Sequence, residues 1–282
     1  MKSLTASFIC LLFSPSFFAR VAAIAVFMKL CFPDKNIFVL TIFFPFNAFT
    51  FIKVTCSISF FSVISFKYGL VSSKTNNDPL SKKFNIYSFS FSGHGRTMFR
   101  ESFDIEQFTT DTLSYLLSNN LSKVFIFGYS MGGYIALNLA KKHPDKVSQI
   151  ITLGTKFKWT SEIAEKEVKM LNPDSIEAKV PVFAKILSKR HGEDGWRTLL
   201  SKTADMMFEM GQTNPISLLD FKGIKTPCKL LLADNDEMVT MEETLIIKDL
   251  LQNSTFELLP NSKHPIEKVD LSLLAVQIEK LQ

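Results

Sequence analysis

The chain has 282 residues, 46% of them hydrophobic, which is enough to bury the core of one sizeable domain. Its 32 basic and 27 acidic residues leave a formal net charge of +5. No Lys/Arg run is dense enough for a nucleic-acid stripe, so the charge reads as a mixed solvated surface. The four cysteines, Cys10, Cys31, Cys56 and Cys228, show neither zinc-ligand nor CxxC spacing. No dinucleotide fingerprint occurs either, and no cofactor is expected.

Composition divides the chain near Phe66. Residues 1–66 hold 15 of the 28 phenylalanines and only six charged residues: Lys2, Arg20, Lys29, Asp34, Lys35 and Lys53. The apolar run from Leu4 to Ala19 follows Lys2 and has the form of a signal-peptide core, with Ala22 and Ala23 beyond it. A second uncharged run, Asn36 to Ile52, is about long enough to span a bilayer. Three readings follow: a membrane anchor, a cleaved secretory signal, or a stretch that is not a native fold element. The first two imply a membrane-associated or secreted protein, with residues 1–66 as the membrane contact. The third implies a cytoplasmic one.

From residue 84 the pattern becomes regular. Phe84–Phe91 alternates β-branched and aromatic residues and predicts a strand, followed by the loop Ser92-Gly93-His94-Gly95-Arg96. Ile105–Ser118 spaces Phe108, Leu113, Leu116 and Leu117 as an amphipathic helix. Lys123–Phe127 predicts a buried strand, Gly128–Gly133 a tight turn, Tyr134–Lys142 a helix, and Val147–Leu153 another buried strand. Residues 156–222 are helix-like, charged and Met-rich, and predict a helical lid inserted over the sheet. Alternation resumes with a strand at Cys228–Ala233, a helix at Met241–Leu251, a strand at Thr255–Leu259 and a helix at Ile266–Leu281. The expected fold is α/β: residues 67–282 form a mostly parallel sheet with helices on both faces and the lid at 156–222.

Gly128-Tyr129-Ser130-Met131-Gly132-Gly133 matches G-x-S-x-G, between a buried strand and a helix as the motif's mechanics require. So sharp a turn strains the serine backbone, lifts its hydroxyl above the sheet edge, and aims the Met131 N–H at the helix N-terminus where an oxyanion would form. A serine needs a base. Of the four histidines, His264 follows the last strand, in the crevice formed by loops at the strands' carboxyl ends. His94 reads as a loop-structuring residue, and His143 and His191 as surface residues. The acid must orient the imidazole. Asp234 and Asp236 both end the strand Lys229–Ala233, and Asp236 lies further into the loop toward His264. Tyr129, Trp159 and Trp196 are the expected substrate contacts, and the insertion's Trp159, Phe183, Leu187, Trp196, Met206, Met207, Phe208 and Met210 form an apolar roof over the serine. Arg190 and Arg197 are expected at the surface.

These residues resemble the α/β-hydrolase superfamily. The resemblance rests on Gly128–Gly133, Gly93-His94-Gly95, Ala233–Val239 and His264, and covers roughly Phe84 to the C-terminus. Many relatives carry G-D-x-D-x-x-V at the acid turn. Here Ala233 replaces the glycine while Asp236 and Val239 fall in register, which implies Asp236 as the acid. The resemblance also implies a second oxyanion donor after an early His-Gly. Tyr68-Gly69 is the nearest counterpart, after the run Phe61–Phe66, with Leu70 N–H as donor. The implied activity is hydrolysis of a small carboxylic ester or related acyl compound through an acyl-enzyme. Two alternatives are a non-catalytic or truncated relative, membrane-associated through residues 1–66, and a lyase. The second arises because the motifs also resemble a menaquinone-pathway lyase, although Tyr134 stands where that group carries arginine.

Overall fold

The computed structural model describes residues 61–65 and 84–280. The apolar runs 4–19 and 36–52, with the anchor and signal readings attached to them, lie outside the described residues, as do Tyr68, Gly69 and Leu70. Among the described residues no helix is long and apolar enough to cross a membrane.

Among the described residues, six strands form one sheet in the order β2-β1-β3-β4-β5-β6: β1 (Phe61–Ser65), β2 (Asn85–Ser88), β3 (Val124–Tyr129), β4 (Val147–Leu153), β5 (Cys228–Asn235) and β6 (Ser254–Lys263). β3 to β6 pair in parallel, whereas β1 runs antiparallel to both β2 and β3. The sheet is thus mostly parallel, as the alternation of elements predicted, with one reversed strand inside it.

Period-2 alternation decides which core each strand residue enters. In β3, Val124 and Ile126 face a large core, while Phe125, Phe127 and Tyr129 face a second, smaller one with Ile151, Leu153 and Leu231. The large core is completed by α1 (Ile105–Ser118), by α2 (Met131–Lys142), and by helices between β4 and β5. The smaller core is closed by Leu274 and Ile278 of α9 (Leu271–Glu279). With both faces covered, every β3 residue is buried.

Five helices fill the predicted insertion: α3 (Ser161–Val168), α4 (Pro173–Lys179), α5 (Pro181–His191), α6 (Gly195–Gln212) and α7 (Leu218–Gly223). Asn172 and Thr160 cap α4 and α3 through their side chains, and Pro173 and Pro181 sit at N1, where a missing N–H costs nothing. α6 buries Trp196, Leu199, Leu200, Thr203, Met206, Met207 and Met210 along one stripe, merging with the large core. α8 (Met241–Leu250) starts in a capping box between Thr240 and Glu243.

Candidate active site

Ser130 stands between β3 and α2 at φ 52°, ψ −122°, a left-handed φ that a side-chain-bearing residue adopts only when its surroundings enforce it. The enforcement is visible. Ser130 N–H donates to Leu153 O (2.8 Å), Ser130 O accepts from Gly133 N–H (3.0 Å) and from Thr155 Oγ1 (2.9 Å). A Cβ on Gly128 would lie 2.5 Å from the Gly132 backbone, and one on Gly133 would run into Thr155 and Thr152. These two glycines therefore let strand, turn and helix approach closely. Ser130 is the N-cap of α2, and Met131 at N1 carries one of the helix's first N–H groups, which have no intrahelical acceptor.

Asp236 and His264 meet beside this elbow. With its proton on Nδ1, His264 donates to Asp236 Oδ2 at 2.8 Å; the pair is almost fully buried. The other carboxylate oxygen, Oδ1, accepts from the N–H groups of Met238 (2.9 Å) and Val239 (2.8 Å), which fixes the acid's orientation. Asp234 has a different task. It accepts from Asn261 N–H and Ser262 N–H, each at 2.9 Å, tying the β6 turn to the end of β5. There Asn261 adopts φ 52° and the β5–β6 register slips between Ala233 and Asn235, which brings His264 round to the acid. Tyr129 Oη donates to His264 O (2.8 Å) from below.

Gly154 joins the two halves. Its neighbour Leu153 bonds Ser130, and its own φ is +58°. A Cβ there would sit 3.2 Å from both Asp236 Oδ2 and His264 Nδ1. His264 Nε2 is buried and has no hydrogen-bond partner among the described residues. The structure therefore brings Ser130, Asp236 and His264 to one edge of the sheet, each from the loop after a parallel strand.

A cavity adjoins Ser130, lined by Ile105, Met131, Tyr134, Lys156, Trp159, Met206, Met207, Met210 and Met238. Trp159 is thus where the sequence places it. Tyr129 is not: it lies on the opposite face of β3 and braces His264. Trp196 is not either, since it is buried within the helical segment ten residues before Met206, about 15 Å along the α6 axis. Of the rest of the expected roof, Met206, Met207 and Met210 reach the cavity, whereas Phe208 is 40% exposed. Arg197 faces outward, paired with Asp174 and Glu177.

The structure corrects one histidine and bears out another. His191, expected at the surface, is buried, and its Nδ1 accepts Gly95 N–H at 3.0 Å. Burial first, then the nearby His94 and Arg190, pull it down to about 3. His94 organises the glycine loop as expected, with Nδ1 3.1 Å from Ser92 O and its ring stacked on Phe103; burial pulls it down to about 4. Leu70 lies outside the described residues. Phe61 pairs with Gly128 and Ile64 with Phe125, so the chain leaves β1 at the sheet edge opposite Ser130.

Sequence reasoning missed Gly154, Lys156 and Glu243. Glu243 Oε1 accepts Phe157 N–H (3.0 Å) and Lys158 N–H (3.3 Å) and so holds the loop after β4. A glycine directly after the strand Val147–Leu153 was the one signal available for Gly154.

Comparison with known proteins gives a consistent picture. Residues 69–190 match the family described as alpha/beta hydrolase fold. A Haemophilus influenzae protein provisionally named an esterase/lipase is 21% identical over 76% of this chain and 82% of its own. Among solved structures, one from work on the carboxylesterases of Nitrososphaera gargenis is similar, with TM-score 0.53 and 20% identity over 72% of this chain and 81% of that one. MGS-M2, an alpha/beta hydrolase from a deep-sea metagenome library, gives TM-score 0.52 and 18% identity over 69% and 78%. The serine elbow, the strand order around it and these matches agree: the chain has the α/β-hydrolase fold.

Proposed function

We propose that this protein is a serine hydrolase that cleaves a small carboxylic ester through an acyl-enzyme on Ser130. The observation that carries the reading is the strained Ser130 elbow set beside a buried Asp236–His264 pair whose second imidazole nitrogen has no partner among the described residues. Esterase and lipase names among the similar proteins support the same class.

In the first step Ser130 Oγ attacks the substrate carbonyl carbon while His264 Nε2 takes the hydroxyl proton. Asp236 holds the ring in the tautomer that leaves Nε2 free to accept, and stabilises the imidazolium. The oxygen gains a negative charge next to Met131 N–H and the N-terminus of α2. Collapse breaks the C–O bond, and the alcohol departs with the proton from His264. Water then attacks the acyl carbon, gives its proton to His264 and releases the acid as Ser130 recovers its hydrogen. The helical segment acts as a lid, its α6 methionines forming an apolar wall that adapts to acyl shape.

Pre-steady-state hydrolysis of p-nitrophenyl butanoate tests this. A burst of nitrophenol equal to the enzyme, absent in Ser130→Ala, is the expected result. Equal turnover by the folded Ser130→Ala protein would refute an acyl-enzyme on that residue.

A further inference from the structure

The cavity beside Ser130 is apolar on most sides, with Ile105 and five methionines in its wall. Two side chains from a single loop, Lys156 and Trp159, break that lining. The loop is firmly held: Thr155 Oγ1 donates to Ser130 O, Glu243 accepts the N–H groups of Phe157 and Lys158, and Asn214 Nδ2 donates to Trp159 O at 3.2 Å.

Both side chains have hydrogen-bond donors left over. The Trp159 indole N–H is buried and has no acceptor among the described residues, although an indole can only donate and a buried one normally finds an acceptor. The side chain of Lys156 is 10% exposed. Its ammonium donates to Met238 O at 2.8 Å and lies 3.9 Å from Glu243 Oε2, too far for a hydrogen bond. Two of its three donors therefore have no acceptor among the described residues. A methionine-walled cavity lined by two residues with spare donors is matched by a ligand that brings an acceptor.

We propose that the acyl group of the substrate carries a second acceptor oxygen, a carbonyl or a carboxylate, received by Trp159 Nε1–H and the Lys156 ammonium. This rests on the reading of Ser130 as the nucleophile. The alcohol departs after the first step, whereas the acyl group stays on Ser130 through both, so fixed donors beside the serine serve the acyl arm. Glu243 offsets the charge of Lys156, so both neutral and anionic acceptors fit.

The test compares kcat/KM for p-nitrophenyl pentanoate, 4-oxopentanoate and hemisuccinate, which have similar reach but carry no second acceptor, a ketone and a carboxylate. At least one acceptor-bearing ester is expected to exceed pentanoate by tenfold or more. Preference for the ketone, reduced toward unity in Trp159→Phe, marks a neutral acceptor; preference for the hemisuccinate, reduced in Lys156→Met, marks an anion. Hydrolysis of pentanoate with no preference for either partner ester overturns the proposal and leaves the hydrolase reading standing. A preference unchanged in both folded variants overturns the assignment to these residues. No hydrolysis of any of the three esters by the folded protein overturns the hydrolase reading and this proposal with it.

Discussion

The two halves of the sheet use strand direction differently. From β3 to β6 all strands run the same way, and the loops at their carboxyl ends bring Ser130, Gly154, Asp236 and His264 to one edge. On the other side β1 runs against both neighbours, so its carboxyl end reaches the opposite edge. The loop after each parallel strand reaches the Ser130 edge, whereas among the described residues the reversed β1 contributes ladder hydrogen bonds. On this view the parallel half holds the chemistry and β1 contributes stability.

The sharpest way to break that comparison is to remove groups from the parallel half. Ser130→Ala and His264→Ala are each expected to lower kcat by at least about 10⁴-fold with the fold intact, as read by ester hydrolysis and circular dichroism. Asp236→Asn should cost about 10³–10⁴-fold, because an amide stabilises neither the required tautomer nor the imidazolium. Gly154→Ala should lower kcat by about 10²-fold, since its Cβ would press on Asp236 and His264 and shift them from alignment. In β1 the effect should change kind. Ile64→Pro removes an N–H from a strand paired on both sides and should cost about 3 kcal/mol in urea unfolding, while kcat per folded molecule holds. Loss of kcat with unchanged stability would reverse the roles assigned to the two halves.

The smallest effect concerns the histidines between the glycine loop and α5. His191 and His94 are held neutral in the folded protein, down at about 3 and about 4, against an ordinary value of 6.5. Between pH 6.5 and 4 the unfolded chain binds more protons at these groups, so stability falls as pH drops through that window and is fully present above it. The urea midpoint should be flat above pH 7 and decline below 6.5, and the decline should be shallower in His191→Phe.

Much of this was legible in the chain because the signals were local. Ile105–Ser118 and Val147–Leu153 form over the predicted bounds, and the glycines around Ser130 mark the elbow directly. Tyr129 was misplaced, although the alternation of β3 put it on the face of Phe125 and Phe127, away from the cavity. Trp196 shares the buried stripe of α6 with the cavity methionines, but helical rise separates them. The burial of His191 had no local signal: it follows from Gly95, 96 residues earlier, meeting the last turn of α5. Strand direction in β1 is likewise a property of pairing partners distant in sequence.

The most direct test is covalent labelling of the purified full chain with a fluorophosphonate, read by peptide mass spectrometry beside Ser130→Ala and His264→Ala. Stoichiometric modification of Ser130 in the parent, lost in Ser130→Ala and strongly slowed in His264→Ala, is the expected result. A folded parent that takes up no label, or labels as fast without His264, would contradict a serine activated by the Asp236–His264 pair.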